Sequence, residues 1–203
     1  MKELILQISY DPKFLLGFTA HIFYFYAIWK SRNSIEPMKP VRVSWFIFFI
    51  LNILILANEV INGKNFNELG LQIGYLFGSF LVFFISIPYG EWIQKTSKEK
   101  ISQEYYVLGL SILAGITYVF LNGVVSIIFL GIALITGAYP NIMKLWKKPQ
   151  SEVGAPYLMW FIAASLAVYD LGHISQWNFV SALIPCVYLG LNIPIAWSIG
   201  NRK

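Results

Sequence analysis

Polar residues come along this chain in short clusters, and the runs between them are almost wholly apolar: 14–29, 43–61, 69–90, 105–121, 124–146, 156–173 and 179–199. A helix rises about 1.5 Å per residue, so about 20 apolar residues cross about 30 Å of hydrocarbon. The runs therefore predict seven transmembrane helices. What lies between them is too short for a soluble domain. The briefest break, at 121–123, is all that keeps the fourth and fifth spans apart.

Composition agrees. Of the 203 residues 57% are hydrophobic and only 12% charged, with a mean hydropathy of +0.62, outside the range of a soluble domain. Residues 1–13 are too acidic, and their apolar run too short, for a cleavable signal peptide, so they read as mature sequence. A single cysteine, Cys186, excludes an internal disulfide, and His21 and His173 are the only histidines. No CxxC or HExxH spacing exists, so no metal and no cofactor is expected.

The net charge of +5 suggests nucleic acid in a soluble protein, but in a chain this apolar it reports orientation instead, and no nucleic-acid partner is expected. With seven spans, every lysine and arginine except Lys2, Lys13 and Lys64 falls on one side of the membrane. The basic side is cytoplasmic, which makes the chain an integral, multi-pass membrane protein with its N-terminus outside and its C-terminus in the cytoplasm. Trp29, Trp45, Trp92, Trp146, Trp160 and Trp197 all fall near cytoplasmic span ends, where their rings are expected at the headgroup level.

Three similarities recur in the same order. AIWKSR (27–32) matches KLWKKP (144–149). WFI (45–47) matches WFI (160–162), each preceded by a proline, Pro40 or Pro156. SIPYGEW (86–92) matches NIPIAW (192–197). They imply two three-helix units, 1–94 and 124–203, joined by a linker helix within 95–123. One linking span gives both units the same orientation, a parallel repeat.

These residues resemble the PQ-loop and SWEET superfamily, whose full-length members are all-α membrane proteins with seven helices in a 3+1+3 arrangement. Tyr139-Pro140-Asn141 through Trp146, the basic loop and Ala155-Pro156-Tyr157 match that family's Pro-Gln or Pro-Asn helix end, its loop and the proline that opens the next helix. Pro149-Gln150 lies beyond the tryptophan and is not the motif. In the first repeat Phe23 and Tyr24 stand where proline and glutamine are expected, leaving Pro40, Pro140 and Pro156 as counterparts of the family's hinges. Pro88 and Pro194 recur in repeated surroundings and complete the candidate hinge and gate set, since an internal proline frees a carbonyl and permits a bend.

Polar residues inside spans are costly enough to need a reason. Asn52, Ser86, Ser165 and Asn192 are the candidate solute-binding residues. The resemblance implies asparagines on the third and seventh helices acting with tryptophan; Asn192 fits, and its counterpart is Ser86. Each of the four also serves as helix glue, worth about 1 kcal/mol. Glu59 and Asp170, at the outer ends of corresponding helices, form a candidate proton-coupling pair or outer gate, or are hydrated carboxylates. His21 reads as a hydrogen-bonded interior residue.

The function this implies is a facilitator that moves a small neutral or zwitterionic, sugar-like solute by alternating access, with the lipid bilayer, the solute and other copies of the chain as partners. A vitamin or nucleoside carrier of the nicotinamide riboside type and a non-transporting receptor or scaffold are the alternatives. No nucleotide loop is present, the seventh span lacks a lysine for a Schiff base, and no catalytic constellation falls at one depth, so the chain is not expected to be an enzyme.

Overall fold

The computed structural model describes residues 11–61, 63, 69–91, 98–121, 123–147, 153–173 and 190. Six helices occur among them: α1 Pro12–Ser31, α2 Arg42–Ile61, α3 Gly70–Tyr89, α4 Lys98–Phe120, α5 Gly123–Lys147 and α6 Gly154–His173. There is no strand among the described residues. The expected seventh span, 179–199, lies outside them except for Gly190. Two helices, α2 and α3, are long and apolar enough to cross a membrane.

Local chemistry explains the ends. Asp11 caps α1, its carboxylate accepting from the Lys13 backbone N–H at 2.8 Å, and Pro12 stands first in the helix, where a missing N–H costs nothing. The break at 121–123 is real: α4 ends at Phe120 and α5 begins at Gly123. One boundary differs from the apolar pattern. Helix α4 starts at Lys98, seven residues before the apolar run, so Lys98 and Lys100 belong to its first turn and not to a loop.

Helix α1 packs on α3 and α6, while α2 packs on α3, α4 and α5, and α4 also packs on α5. Their directions alternate. Gly74 meets Phe14 and Gly78 meets His21, so α1 and α3 run parallel. Arg42 reaches Ser86 while Asn52 reaches Ser79, so α2 and α3 are antiparallel. The pairs Tyr24–Tyr157 and His21–Trp160 make α1 and α6 antiparallel. One end of the bundle consequently collects Lys30, Arg32, Lys39, Arg42 and Lys144, and Lys13 lies at the other.

Two apolar cores share α2 as a wall. One joins Ala20, Tyr24, Ile28, Trp45, Tyr75, Val82 and Trp160 from α1, α2, α3 and α6. The other joins Ile47, Leu51, Ile55, Ala114, Tyr118, Leu130 and Leu134 from α2, α4 and α5. Close approach is paid for in glycine. Gly70, Gly74 and Gly78 form a GxxxGxxxG stripe that lets the α1 and α3 backbones meet, the small-residue packing typical of helices in lipid. A Cβ at Gly78 would lie 2.2 Å from the His21 ring, and one at Gly137 would lie 2.6 Å from Ile47 Cγ2 on α2. The outward faces are apolar too: Phe77, Phe84, Ile87, Leu113 and Ile116 are all exposed.

Candidate functional site: an aromatic seam

Along the contact of α1 with α6 runs a column of rings. His21, in the middle of α1, is seated in the hollow left by Gly78 and is 5% exposed. Its ring centroid lies 4.8 Å from Trp160, 5.7 Å from Tyr75 and 5.9 Å from Trp45. Toward the lysine-rich end Tyr24, fully buried, packs at 5.1 Å from Trp45 and 5.7 Å from Trp160, and Tyr157 closes the column at 5.1 Å from Trp160. Most of these contacts are tilted or edge-on, the arrangements ring quadrupoles favour. Trp45 and Trp160 themselves stand 5.9 Å apart.

Hydrogen bonds thread the same seam. The Tyr75 hydroxyl donates to the Trp160 carbonyl at 3.4 Å. His21 Nδ1 lies 2.6 Å from the Gly17 carbonyl and 3.1 Å from Trp160 Nε1. One nitrogen cannot donate and accept at once. Protonated, Nδ1 donates to Gly17 within α1; unprotonated, it accepts the Trp160 N–H and ties α1 to α6. Trp45 Nε1, Ser44 Oγ and Asn141 Oδ1 are buried with no hydrogen-bond partner among the described residues. Groups of this kind are satisfied by water or a polar solute, since an unmet buried donor or acceptor costs about 1–3 kcal/mol.

Of the described candidates from the polar pattern, only Asn52 reaches this column, through the Tyr75 carbonyl. Asn52 is buried and donates to Ser79 Oγ at 3.2 Å and to the Tyr75 carbonyl at 3.5 Å, fastening α2 to α3. Ser86 and Ser165 bond back into their own helices, to the carbonyls of Phe83 at 2.6 Å and Phe161 at 2.8 Å. Asn192 and Pro194 lie outside the described residues. Among the prolines, Pro40 is buried ahead of α2, Pro88 is exposed one residue before the end of α3, and Pro140 is buried inside α5. Pro156 sits in the first turn of α6, where it starts the helix rather than bending it.

Glu59 is 7% exposed, buried rather than hydrated. Gln72 Nε2 on α3 donates to its Oε1 at 3.4 Å, and the neighbouring Asn58 hydrogen-bonds the Tyr118 side chain on α4. Asp170 lies in the last turn of α6, and its side chain is outside the described set. No group of three or more His, Cys, Asp or Glu able to hold a metal ion occurs among the described residues.

The polar pattern passed over the residues that do converge. Trp45 and Trp160 were expected at the headgroups, yet they are 4% and 6% exposed and face each other. The available signal was the WFI that the two tryptophans share, Trp45–Ile47 and Trp160–Ile162. The GxxxGxxxG stripe, legible in the sequence, likewise marked where α1 comes closest to α3. Comparison of the chain with family models, with curated proteins and with solved structures finds no match in any of the three.

Proposed function

We propose that the chain is a seven-helix, SWEET-like membrane facilitator that passes a small neutral or zwitterionic solute along the seam by alternating access and performs no covalent chemistry. The observation that carries this reading is the meeting of Trp45 and Trp160, repeat-related residues 5.9 Å apart where α1, α2 and α6 converge. The packing supports it further. Exchanging helices one to three with five to seven turns the α1–α6 contact into an α5–α2 contact, and both pairs are packed. A site shared by two such units is the expected place for a solute in a repeat-built carrier.

The rings close on one another in this arrangement, so the seam is a shut pathway whose lining must part to admit a solute. Aromatic walls with a spare indole N–H also favour a second reading, a vitamin or nucleoside carried by its ring, because ring faces, once parted, accept any planar base. Under either reading the protein is a multi-pass membrane protein with its lysine-rich end in the cytoplasm and its N-terminus outside.

Flux tests both. Protein reconstituted into vesicles is expected to equilibrate a labelled sugar or a labelled nucleoside. Trp160→Ala is expected to lower that flux by more than about tenfold, the order of loss when a buried ring contact is removed. Gly109→Ala, on an open face of α4, serves as the control. Absence of flux for every solute in both classes leaves the receptor or scaffold.

A further inference from the structure

We infer that Lys144 and Glu91 form an ionic latch that holds the lysine-rich mouth of the seam shut. The Lys144 side chain, near the end of α5, is only 11% exposed, and its Nζ lies 3.4 Å from Glu91 Oε1, just past the end of α3. The same ammonium also donates to the Lys39 carbonyl in the α1–α2 connection. One cation therefore ties α5 to two segments that belong with α1–α3.

The anionic half of the latch stands on a built platform. Glu91 N–H donates to the Pro40 carbonyl at 3.0 Å, and Arg42 N–H donates to the Glu91 carbonyl at 3.2 Å, pairing Val41 and Glu91 in a single parallel bridge. Arg42 Nε donates to the Ser86 carbonyl at 2.9 Å, where it also meets the negative end of the α3 dipole. Gly90 is needed here, because a Cβ would lie 2.5 Å from the Ser86 carbonyl and 2.7 Å from that of Pro40. The backbone that carries the carboxylate is thus fixed before Lys144 arrives, which lowers the entropic cost of pairing.

The moving half is on α5. Lys144 follows Pro140 by four residues and so shares its face of the helix. Pro140 leaves the Thr136 carbonyl without its helical donor, the weak point about which the last two turns can swing. Swinging them outward separates Lys144 from Glu91 and uncovers the level of Asn141 and Ser44. Water reaches Glu91, whose side chain is 27% exposed, so the pair biases the mouth toward closure without locking it.

The sequence marks both partners as departures from the repeat. Aligning AIWKSR with KLWKKP sets Ala27 opposite Lys144, and aligning SIPYGEW with NIPIAW sets no acid opposite Glu91. The latch exists once, on one side of an otherwise repeated frame. Its purpose rests on the carrier reading; its existence does not.

The experiment needs no solute. In a Cys186→Ser background, Ser44→Cys places a thiol at a fully buried position one turn inside the latch. A membrane-impermeant, quaternary-ammonium methanethiosulfonate is applied from the lysine-rich face. Labelling is expected to be slow in this parent and about fivefold faster after Glu91→Gln, the upper end of what an ion pair open to water on one side contributes. Lys144→Gln, which keeps an N–H for the Lys39 carbonyl, is expected to speed labelling to the same extent, and the double variant no further. An unchanged rate in folded Glu91→Gln protein overturns the latch, as does a double variant whose acceleration is the product of the two single ones. Where Glu91→Gln fails to fold, Lys144→Gln decides alone, an unchanged rate overturning the latch. A working latch in vesicles that carry no solute removes the carrier reading and leaves the latch.

Discussion

At the scale of single residues the decisive one is His21, because two incompatible hydrogen bonds meet at its Nδ1 and a glycine makes the room it occupies. Gly78→Ala sets a methyl 2.2 Å from the imidazole, and neither ring nor backbone has slack to absorb it. The expected loss of stability is about 1–3 kcal/mol, the usual cost of overpacking, read as a lower melting midpoint in detergent. Gly109→Ala on α4, with nothing within 4 Å of its Cβ, is expected to be neutral or to gain up to about 1 kcal/mol of helix propensity. Equal midpoints for the two variants would mean that α1 and α3 are not in contact at Gly78. Asn52 admits an equally direct decision. As a tie between α2 and α3, Asn52→Ala costs about 1 kcal/mol of stability and leaves flux per folded molecule intact; flux lost at unchanged stability would return it to the solute site.

At the scale of elements, the apolar runs located the helices well and their faces poorly, and the physics explains both. A run of apolar residues is demanded equally by lipid and by a protein core, so its length predicts a helix without saying which side meets which solvent. Trp45 illustrates the ambiguity: an indole one turn from a helix end suits the headgroup region, but Gly137 draws α5 against Ile47 and α6 brings Trp160 alongside, and the ring is enclosed. Lys144 shows the same for charge, since a basic residue at a helix end suits phosphate headgroups until a carboxylate is fixed nearer. Polar residues inside spans pointed to places of interest, and Asn52, Ser86 and Ser165 proved to be satisfied by helix backbone or by α3. Pro140 is the element-level feature whose role remains mechanical. Pro140→Ala restores the missing donor to Thr136, so stability is expected to hold or rise while flux along the seam falls severalfold, as a straightened α5 swings less readily. Undiminished flux with raised stability would make the proline a static bend.

At the scale of the whole molecule, alternation of direction gathers like charge at one end of the helix bundle. Each helix runs opposite to the one before it, the basic side chains gather at one end, and rings such as Phe77 and Phe84 cover the outside. Water would not tolerate that surface, whereas hydrocarbon would leave it unperturbed. The proposed topology follows if the bundle axis lies along the membrane normal. Helix α2, 20 residues long, then spans about 30 Å, and its two ends must open on opposite faces. In the Cys186→Ser background, Ser34→Cys lies on the exposed connection before α2 and Ile61→Cys on the exposed last turn, 82% accessible. A charged thiol reagent added to sealed, oriented vesicles is expected to reach one of them from outside and the other only after the membrane is breached. Labelling of both from the same side would lay α2 along the surface and leave no axis for the seam to follow. Labelling of Ser34→Cys only from within would set the lysine-rich mouth, with Lys144 and Glu91, on the cytoplasmic face, the side on which the excess of basic residues places it.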